Sequence, residues 1–333
     1  MRGGPTMIEL MLAPFAACLI LTGIHAYLGI HVVEREVIFV DLALAQIAAL
    51  GSVVAFLFGV PLHTTGAYVF SLGFTFVGAA VFSLTRFRER DVPHEAIIGI
   101  VYVVAAATTV LALERAPSEA GHIKDMLVGN ILFVSWEDIL KMLFLYSVIG
   151  VIHVMFRKRF ILISTQPDEA VRAGLSVRGW DFLFYMTFGF VVTSSVEIAG
   201  VLLVFSFLII PAVCAMLFSK RFGTRLVLGW LLGSLGSVAG VYMSAVWDLP
   251  TGAAVVCSFG VMALLAGLAK VGWGWAPFRL ALAQVCRFCP LHNFLNVILG
   301  RERTLRLVSG WGRFCPFCRA FSMAYGERLD RHY

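Results

Sequence analysis

Nine long apolar runs restrict this 333-residue chain to a lipid environment. Hydrophobic residues make up 60% of the chain and the mean hydropathy is +0.89, values that exclude an ordinary water-soluble domain. A helix needs about 20 apolar residues to cross ~30 Å of hydrocarbon. Runs of this length predict an all-α, polytopic membrane protein with eight or nine transmembrane helices. The predicted spans are 8–30, 37–58, 63–84, 94–113, 136–156, 180–195, 198–218, 224–245 and 251–271.

Clusters of Lys and Arg predict the orientation of these spans, because positive residues collect in cytoplasmic loops. Three loops are basic, and each lies two spans from the next: 85–93, 157–179 and 220–225. They therefore share one side of the membrane. We expect the N-terminus outside and the C-terminal tail in the cytoplasm.

The second run contains a carboxylate, Asp41, and an amide, Gln46. An ionisable group inside a transmembrane segment costs at least ~2.5 kcal/mol and usually marks a pathway, a gate or a buried partner. Five positions apart on a helix, the two side chains point about 140° apart. They can therefore bind one ion together only if another helix contributes to the site. We interpret both as candidates for a transport pathway. The alternative is a buried hydrogen bond that fixes helix packing.

Three further polar residues, His63, Glu197 and Asp248, fall at the outer ends of predicted spans. We hypothesise that they line an entrance on the outer face. A single histidine at such a position is more often an ordinary hydrogen-bonded or interfacial residue, and that alternative stays open.

Two features inside the later spans concern packing. The eighth span carries Gly229, Gly233, Gly236 and Gly240, which share one helix face and predict a close helix contact. Pro211 in the seventh span removes a helix hydrogen bond and predicts a kink or break, either structural or a hinge.

The loop after the fifth span contains a short helix signal. Pro167 and Asp168 are typical of a first helical turn, and Gly174 of a stop. The predicted helix either docks a soluble partner or rests on lipid headgroups.

Four stretches resemble the permeases of the zinc/manganese/iron uptake family of ATP-binding-cassette (ABC) importers. Residues 168–174 read Asp-Glu-Ala-x-x-x-Gly, like the helix by which such permeases seat into their ATPases. Residues 28–51, 197–215 and 248–252 are similar to three other family segments, in the same order and spacing. The residues that this resemblance assigns to ATPase coupling are Pro167, Asp168, Glu169, Ala170 and Gly174.

The resemblance implies the permease subunit of an ATP-driven importer of Zn²⁺, Mn²⁺ or Fe²⁺ that works by alternating access. It implies a bacterial-type plasma (inner) membrane, a partner ABC ATPase, a second permease copy and an extracytoplasmic metal-binding protein, with no nucleic acid. The sequence has no Gly-x-x-x-x-Gly-Lys-Ser/Thr loop, so we expect no enzymatic activity in this chain and no cofactor in the permease domain.

One departure leaves the metal open. The family usually has His where this chain has Gln46. Imidazole favours zinc, whereas carboxylate and amide oxygens suit harder ions such as Mn²⁺. Three alternatives remain: a permease for a metal chelate or vitamin-type substrate, an ion-coupled secondary metal transporter, and a membrane-bound thiol oxidoreductase.

The last alternative comes from the tail. We predict a permease domain at 1–271 and a basic cytoplasmic tail at 272–333, which holds nine arginines and three acidic residues. The tail has two Cys-x-x-Cys pairs, which could hold one structural zinc, exchange thiols or have no function. These cysteines are Cys286, Cys289, Cys315 and Cys318.

Overall fold

The computed structural model describes residues 7–62, 64–86, 93–115 and 131–274, and this part of the chain is helical with no strand. A short 3₁₀ turn, Ile131–Phe133, precedes the fifth helix. The helices are α1 (Met7–Glu34), α2 (Val40–Leu57), α3 (Thr65–Leu84), α4 (His94–Leu113), α5 (Trp136–Met155), α6 (Arg157–Thr165), α7 (Pro167–Arg172), α8 (Val177–Ala199), α9 (Val201–Phe218), α10 (Phe222–Trp247) and α11 (Thr251–Gly274).

Nine of these described helices are long and apolar enough to cross a membrane, and all but α6 and α7 belong to this set. The predicted spans are therefore confirmed, with ends that differ by a few residues. The break between the sixth and seventh spans lies at Gly200. Its φ of 78° and ψ of 159° occupy a region that only glycine adopts without strain, so α8 stops and α9 begins within a single residue.

The ends of several helices meet in one region, here called the basic end: residues 34–39, 85–86, 156–178 and 219–225. Arg225, near the start of α10, donates to Glu34 at the end of α1. Arg86, after α3, pairs with Asp181 near the start of α8. These ion pairs place the described parts of the three basic loops on one side, as the predicted orientation requires. The other end of the bundle is called the opposite end.

The central helices are α1, α2, α8 and α9. About two-thirds (67%) of the α1 span is buried, against 17% of the α4 span, most of whose side chains are therefore at least partly exposed at the surface of the bundle. α1 packs on α9 and α10, while α2 packs on α3, α4 and α8. The core between them contains large aromatic side chains, including Phe82, Phe184, Tyr185, Phe188 and Phe207.

Small residues set the distance between these helices. On α10, Gly229 and Gly233 face Ala26 and Thr22 of α1. Two further glycines of α10, Gly236 and Gly240, face Phe259 and Val255 of α11. The predicted glycine seam is thus confirmed, although it serves two neighbouring helices. In lipid, such close approach supplies the van der Waals contact that holds helices together.

The tightest glycine contact joins α1 to α9. A Cβ at Gly29 would lie 1.9 Å from the Leu208 carbonyl oxygen, whereas a Cβ at Gly23, on the same helix, meets nothing within 4 Å.

Gly29→Ala should therefore force α1 and α9 apart and lower the free energy of unfolding by about 1–3 kcal/mol. Gly23→Ala, the matched control, should leave it unchanged or slightly raised, because alanine favours helix. Thermal unfolding of both purified variants in detergent checks this. Equal midpoints for the two variants would contradict the close contact.

Candidate functional site

A short helix at the basic end, α7, is closed at both termini by its own sequence. Pro167 occupies its first turn. At the other terminus the Leu175 amide donates to the Ala170 carbonyl at 3.0 Å, and the Gly174 amide donates to the Val171 carbonyl at 3.0 Å. This pair of bonds is a Schellman motif, which needs a left-handed residue at the position of Gly174, whose φ is 76°. The predicted start and stop are both confirmed.

One side of α7 is anchored and the rest is exposed. Ala170 is fully buried. Asp168, Glu169, Val171 and Arg172 are exposed. With Ala170 buried and its charged side chains exposed, α7 presents a surface that a soluble partner could cover.

The preceding helix, α6, fixes α7 to the bundle. Phe160 and Ile163 of α6 are fully buried. The Phe160 ring packs edge-on against Trp180 of α8, with centroids 5.7 Å apart. Ser164, also buried, accepts a hydrogen bond from Arg35 Nε at 2.8 Å. Its hydroxyl also lies 2.8 Å from His31 Nδ1 on α1.

Asp181 is the centre of an ion cluster directly beside α6. Arg35 Nη1 donates to Asp181 Oδ1 and Arg86 Nη1 donates to Asp181 Oδ2, each at 2.6 Å. The side chains of Arg35 and Asp181 are fully buried and that of Arg86 is 19% exposed. The Arg35 guanidinium also lies over the Phe184 ring, 3.9 Å from its centroid. Burial lowers the pKa of Arg35 from its usual value, and the Asp181 carboxylate opposes that effect.

We refer to Arg35, Arg86, Ser164 and Asp181 as the basic-end cluster. None of its four residues was predicted from the sequence to belong to a site. A signal was present, since Asp181 is an acidic residue inside the predicted span 180–195, the same feature that singled out Asp41. What the sequence could not supply is the partners, which come from α6 and from the ends of α1 and α3.

Asp41 lies in the first turn of α2, at the basic end, and is fully buried. Neither of its carboxylate oxygens has a hydrogen-bond partner among the described residues. The positive end of the α2 dipole stabilises its negative charge only in part. Gln46 follows one turn further along α2 and is half-buried. The unpaired carboxylate of Asp41 offers oxygen atoms to a passing cation, and the Gln46 amide lies on another face of the same helix.

The opposite end has a cavity of about 510 Å³ between the ends of α3, α5 and α8. Glu197 lines it, together with Tyr68 and Ser194. Lys141 and Asp138, at its rim, are linked to each other at 3.8 Å. The cavity and Asp41 are thus at opposite ends of the bundle.

The remaining predicted site residues are dispersed. Asp248 is exposed and ends α10 in a left-handed conformation, with φ 51° and ψ 44°. It does not line the cavity. Pro211 is buried, and α9 runs through it without a break. His63 and the tail cysteines Cys286, Cys289, Cys315 and Cys318 lie outside the described residues. Their functions, and the tail as a domain, stay predictions.

No group of three or more His, Cys, Asp or Glu side chains is close enough to hold a metal ion within the part of the chain that the structure describes. Asp41, Gln46, Glu197 and Asp248 are therefore not brought together into one coordination site.

Comparison with known proteins gives a consistent result. A sequence model of the ABC 3 transport family matches residues 7–270. A Haemophilus influenzae protein named "Probable iron transport system membrane protein" is 26% identical over 80% of this chain and 96% of its own length. The manganese transport system membrane protein MntB of Synechocystis is 28% identical over 74% of this chain and 76% of its own length.

A solved structure has the same fold. It is that of PsaBC from Streptococcus pneumoniae in complex with Fab, at a TM-score of 0.64 and 19% identity, covering 79% of this chain and 91% of the matched chain. The resemblance seen in the sequence motifs is therefore confirmed at the level of the family and of the fold.

The basic-end cluster makes a clear prediction about stability. Asp181→Ala would leave two guanidinium groups without their buried counter-charge, a change that costs roughly 3–5 kcal/mol. Glu34→Ala removes a carboxylate from a more exposed pair with Arg225 and should cost about 1 kcal/mol or less. Thermal unfolding of the two variants in detergent measures the difference. A loss for Asp181→Ala no larger than that for Glu34→Ala would show that the cluster does not stabilise the bundle.

Proposed function

The chain belongs to the ABC 3 transport family, and on that premise we propose that it is the permease subunit of an ATP-driven importer of divalent transition metal ions. It resides as a multi-pass protein in a bacterial-type plasma membrane, with the basic end and the tail in the cytoplasm. The permease moves the ion by alternating access, and a separate ABC ATPase hydrolyses the ATP.

The observation that carries this proposal is α7. It is a capped helix at the basic end whose charged side chains, Asp168, Glu169 and Arg172, face outward while only Ala170 is buried. An ion-coupled carrier needs no such docking surface. We therefore propose that α7 binds the ATPase. This role favours an ATP-driven importer over an ion-coupled secondary carrier.

Other partners follow from the same premise. A second permease copy completes the pathway, and an extracytoplasmic metal-binding protein delivers the ion to the opposite end. The cavity lined by Glu197, Tyr68 and Ser194 lies at that end, so an ion released there meets oxygen atoms first.

We propose Mn²⁺ or Fe²⁺ as the transported ion. The names of the related proteins concern manganese and iron. Gln46 offers an amide oxygen where the family usually has an imidazole, and Asp41 offers carboxylate oxygens; oxygen donors suit these harder ions better than Zn²⁺. Their binding must be weak, because an ion in transit has to leave.

Asp41 provides the most direct test of the pathway. Asp41→Asn keeps the shape of the side chain but removes its charge, and we expect it to lower metal uptake about tenfold or more, a change of about 1.4 kcal/mol or more in the barrier. Glu114→Gln, which neutralises an exposed carboxylate at the opposite end, should leave uptake unchanged. The measurement is uptake of Mn²⁺, Fe²⁺ and Zn²⁺ by cells that express the chain with its ATPase and binding protein.

Uptake of Mn²⁺ or Fe²⁺ that depends on ATP and is lost only in Asp41→Asn supports both the function and the pathway. Equal uptake by Asp41→Asn and the wild type would remove Asp41 from the pathway. If the assembly hydrolyses ATP but accumulates no free ion, a metal chelate or vitamin-type substrate replaces the free metal in the proposal.

Docking by α7 is tested at Gly174. A Cβ in the left-handed conformation costs about 1–2 kcal/mol, so Gly174→Ala should loosen the end of α7 and weaken ATPase binding by about 5- to 30-fold. Gly223→Ala is the matched control, since Gly223 also lies at the basic end and nothing comes within 4 Å of its added Cβ. Co-purification of the ATPase with each variant is measured. Identical recovery in both would argue against docking through α7.

A further inference from the structure

We propose that Ser164 is the positioning residue that links ATPase docking to the transmembrane helices, by carrying movement of α7 through the basic-end cluster to α1, α8 and α3. This inference rests on the proposed function, in which α7 seats into the ATPase.

The first link is the short chain connection between α6 and α7. α6 and α7 are separated by one residue, Gln166, whose carbonyl accepts the Ala170 amide at 3.1 Å. The inward face of α6 is buried through Phe160, Ile163 and Ser164. The two helices therefore cannot move independently by much, and a displacement of α7 is transmitted to Ser164.

The second link is the Ser164 hydroxyl. Arg35 Nε can only donate, so the hydroxyl accepts that bond at 2.8 Å and keeps its own proton for another partner. His31 Nδ1 lies at 2.8 Å on the other side. His31 lies in the last turn of α1, the most buried of the described spans, and Arg35 follows that helix directly. One hydroxyl thus joins the docking segment to the central helix.

The third link spreads the connection to two more helices. Arg35 donates to Ser164 through Nε and to Asp181 of α8 through Nη1. The other carboxylate oxygen of Asp181 accepts a hydrogen bond from Arg86, which follows α3. Charge-assisted bonds of 2.6 Å between buried groups tolerate little change in length, because separating the charges in a low dielectric is costly. A shift of Ser164 therefore favours a joint movement of α1, α8 and the end of α3 over a stretched cluster.

The test separates coupling from folding. The full chain is purified with its ATPase, reconstituted in vesicles with the binding protein, and supplied in turn with Mn²⁺, Fe²⁺ and Zn²⁺. We expect Ser164→Ala to lower the number of ions transported per ATP hydrolysed about fivefold while the assembly still forms and hydrolyses ATP. Ser164→Thr, which retains the hydroxyl, should restore the ratio.

Ser83→Ala is the matched control. Ser83 is a buried serine near the same end, and its hydroxyl donates to the Arg178 carbonyl at 2.7 Å without joining the cluster, so its loss should leave the ratio unchanged. Ser164→Cys fills the original volume and replaces Ser164→Ala if the smaller side chain prevents assembly.

The outcomes are distinct. A wild-type ratio in Ser164→Ala or Ser164→Cys would overturn the link while leaving the proposed function intact. If Ser83→Ala lowered the ratio of ions to ATP equally, the effect would reflect general destabilisation, and the proposed link would again be overturned. Absence of ATP-driven uptake of every ion by the wild-type assembly would overturn the proposed function itself.

Discussion

The requirement that every backbone amide and carbonyl in lipid find a partner within the protein underlies this structure. Each helix meets that requirement within its own segment. Apolar side chains gain little free energy when they exchange contact with lipid for contact with another helix. Association then depends on close contact at small residues and on a few polar groups. The close contacts are those of Gly29 with the Leu208 carbonyl and of the α10 glycines with α1 and α11. The ion cluster of Arg35, Asp181 and Arg86 at the basic end is one such set of polar groups.

Burial of the basic-end cluster has a physical consequence for the whole bundle. Asp181 and Arg35 give up hydration, and their mutual contact, together with Arg86, Ser164 and the Phe184 ring, offsets that loss. The cluster therefore holds the ends of α1, α3, α6 and α8 in one arrangement. Because α6 leads directly into α7, this buried ion cluster lies next to the surface that we propose as the docking site for the ATPase.

Local signals were sufficient for much of the fold. The nine spans follow from the lengths of apolar runs, and the boundaries of α7 follow from Pro167 and Gly174, because turns and caps are decided by neighbouring residues. The candidate site was less accessible. The sequence shows Asp41 as an ionisable residue in an apolar run, but its complete burial and the lack of a hydrogen-bond partner among the described residues could not be predicted from periodicity. Asp248, chosen for its position near the opposite end, ends α10 in a left-handed conformation that no periodicity predicts, and its place at an entrance stays a prediction.

The sequence by itself determined the nine candidate membrane spans, which loops share a side, where the short helix α7 begins and ends, and the family that the chain resembles. These depend on residues close together in the chain. Only the tertiary structure decided which polar groups meet. Asp181 takes its partners from positions 146 and 95 residues away, and Ser164 meets Arg35 across 129 residues. Such contacts depend on how helices cross and rotate against one another. The packing of many side chains fixes that geometry, and no local pattern records it.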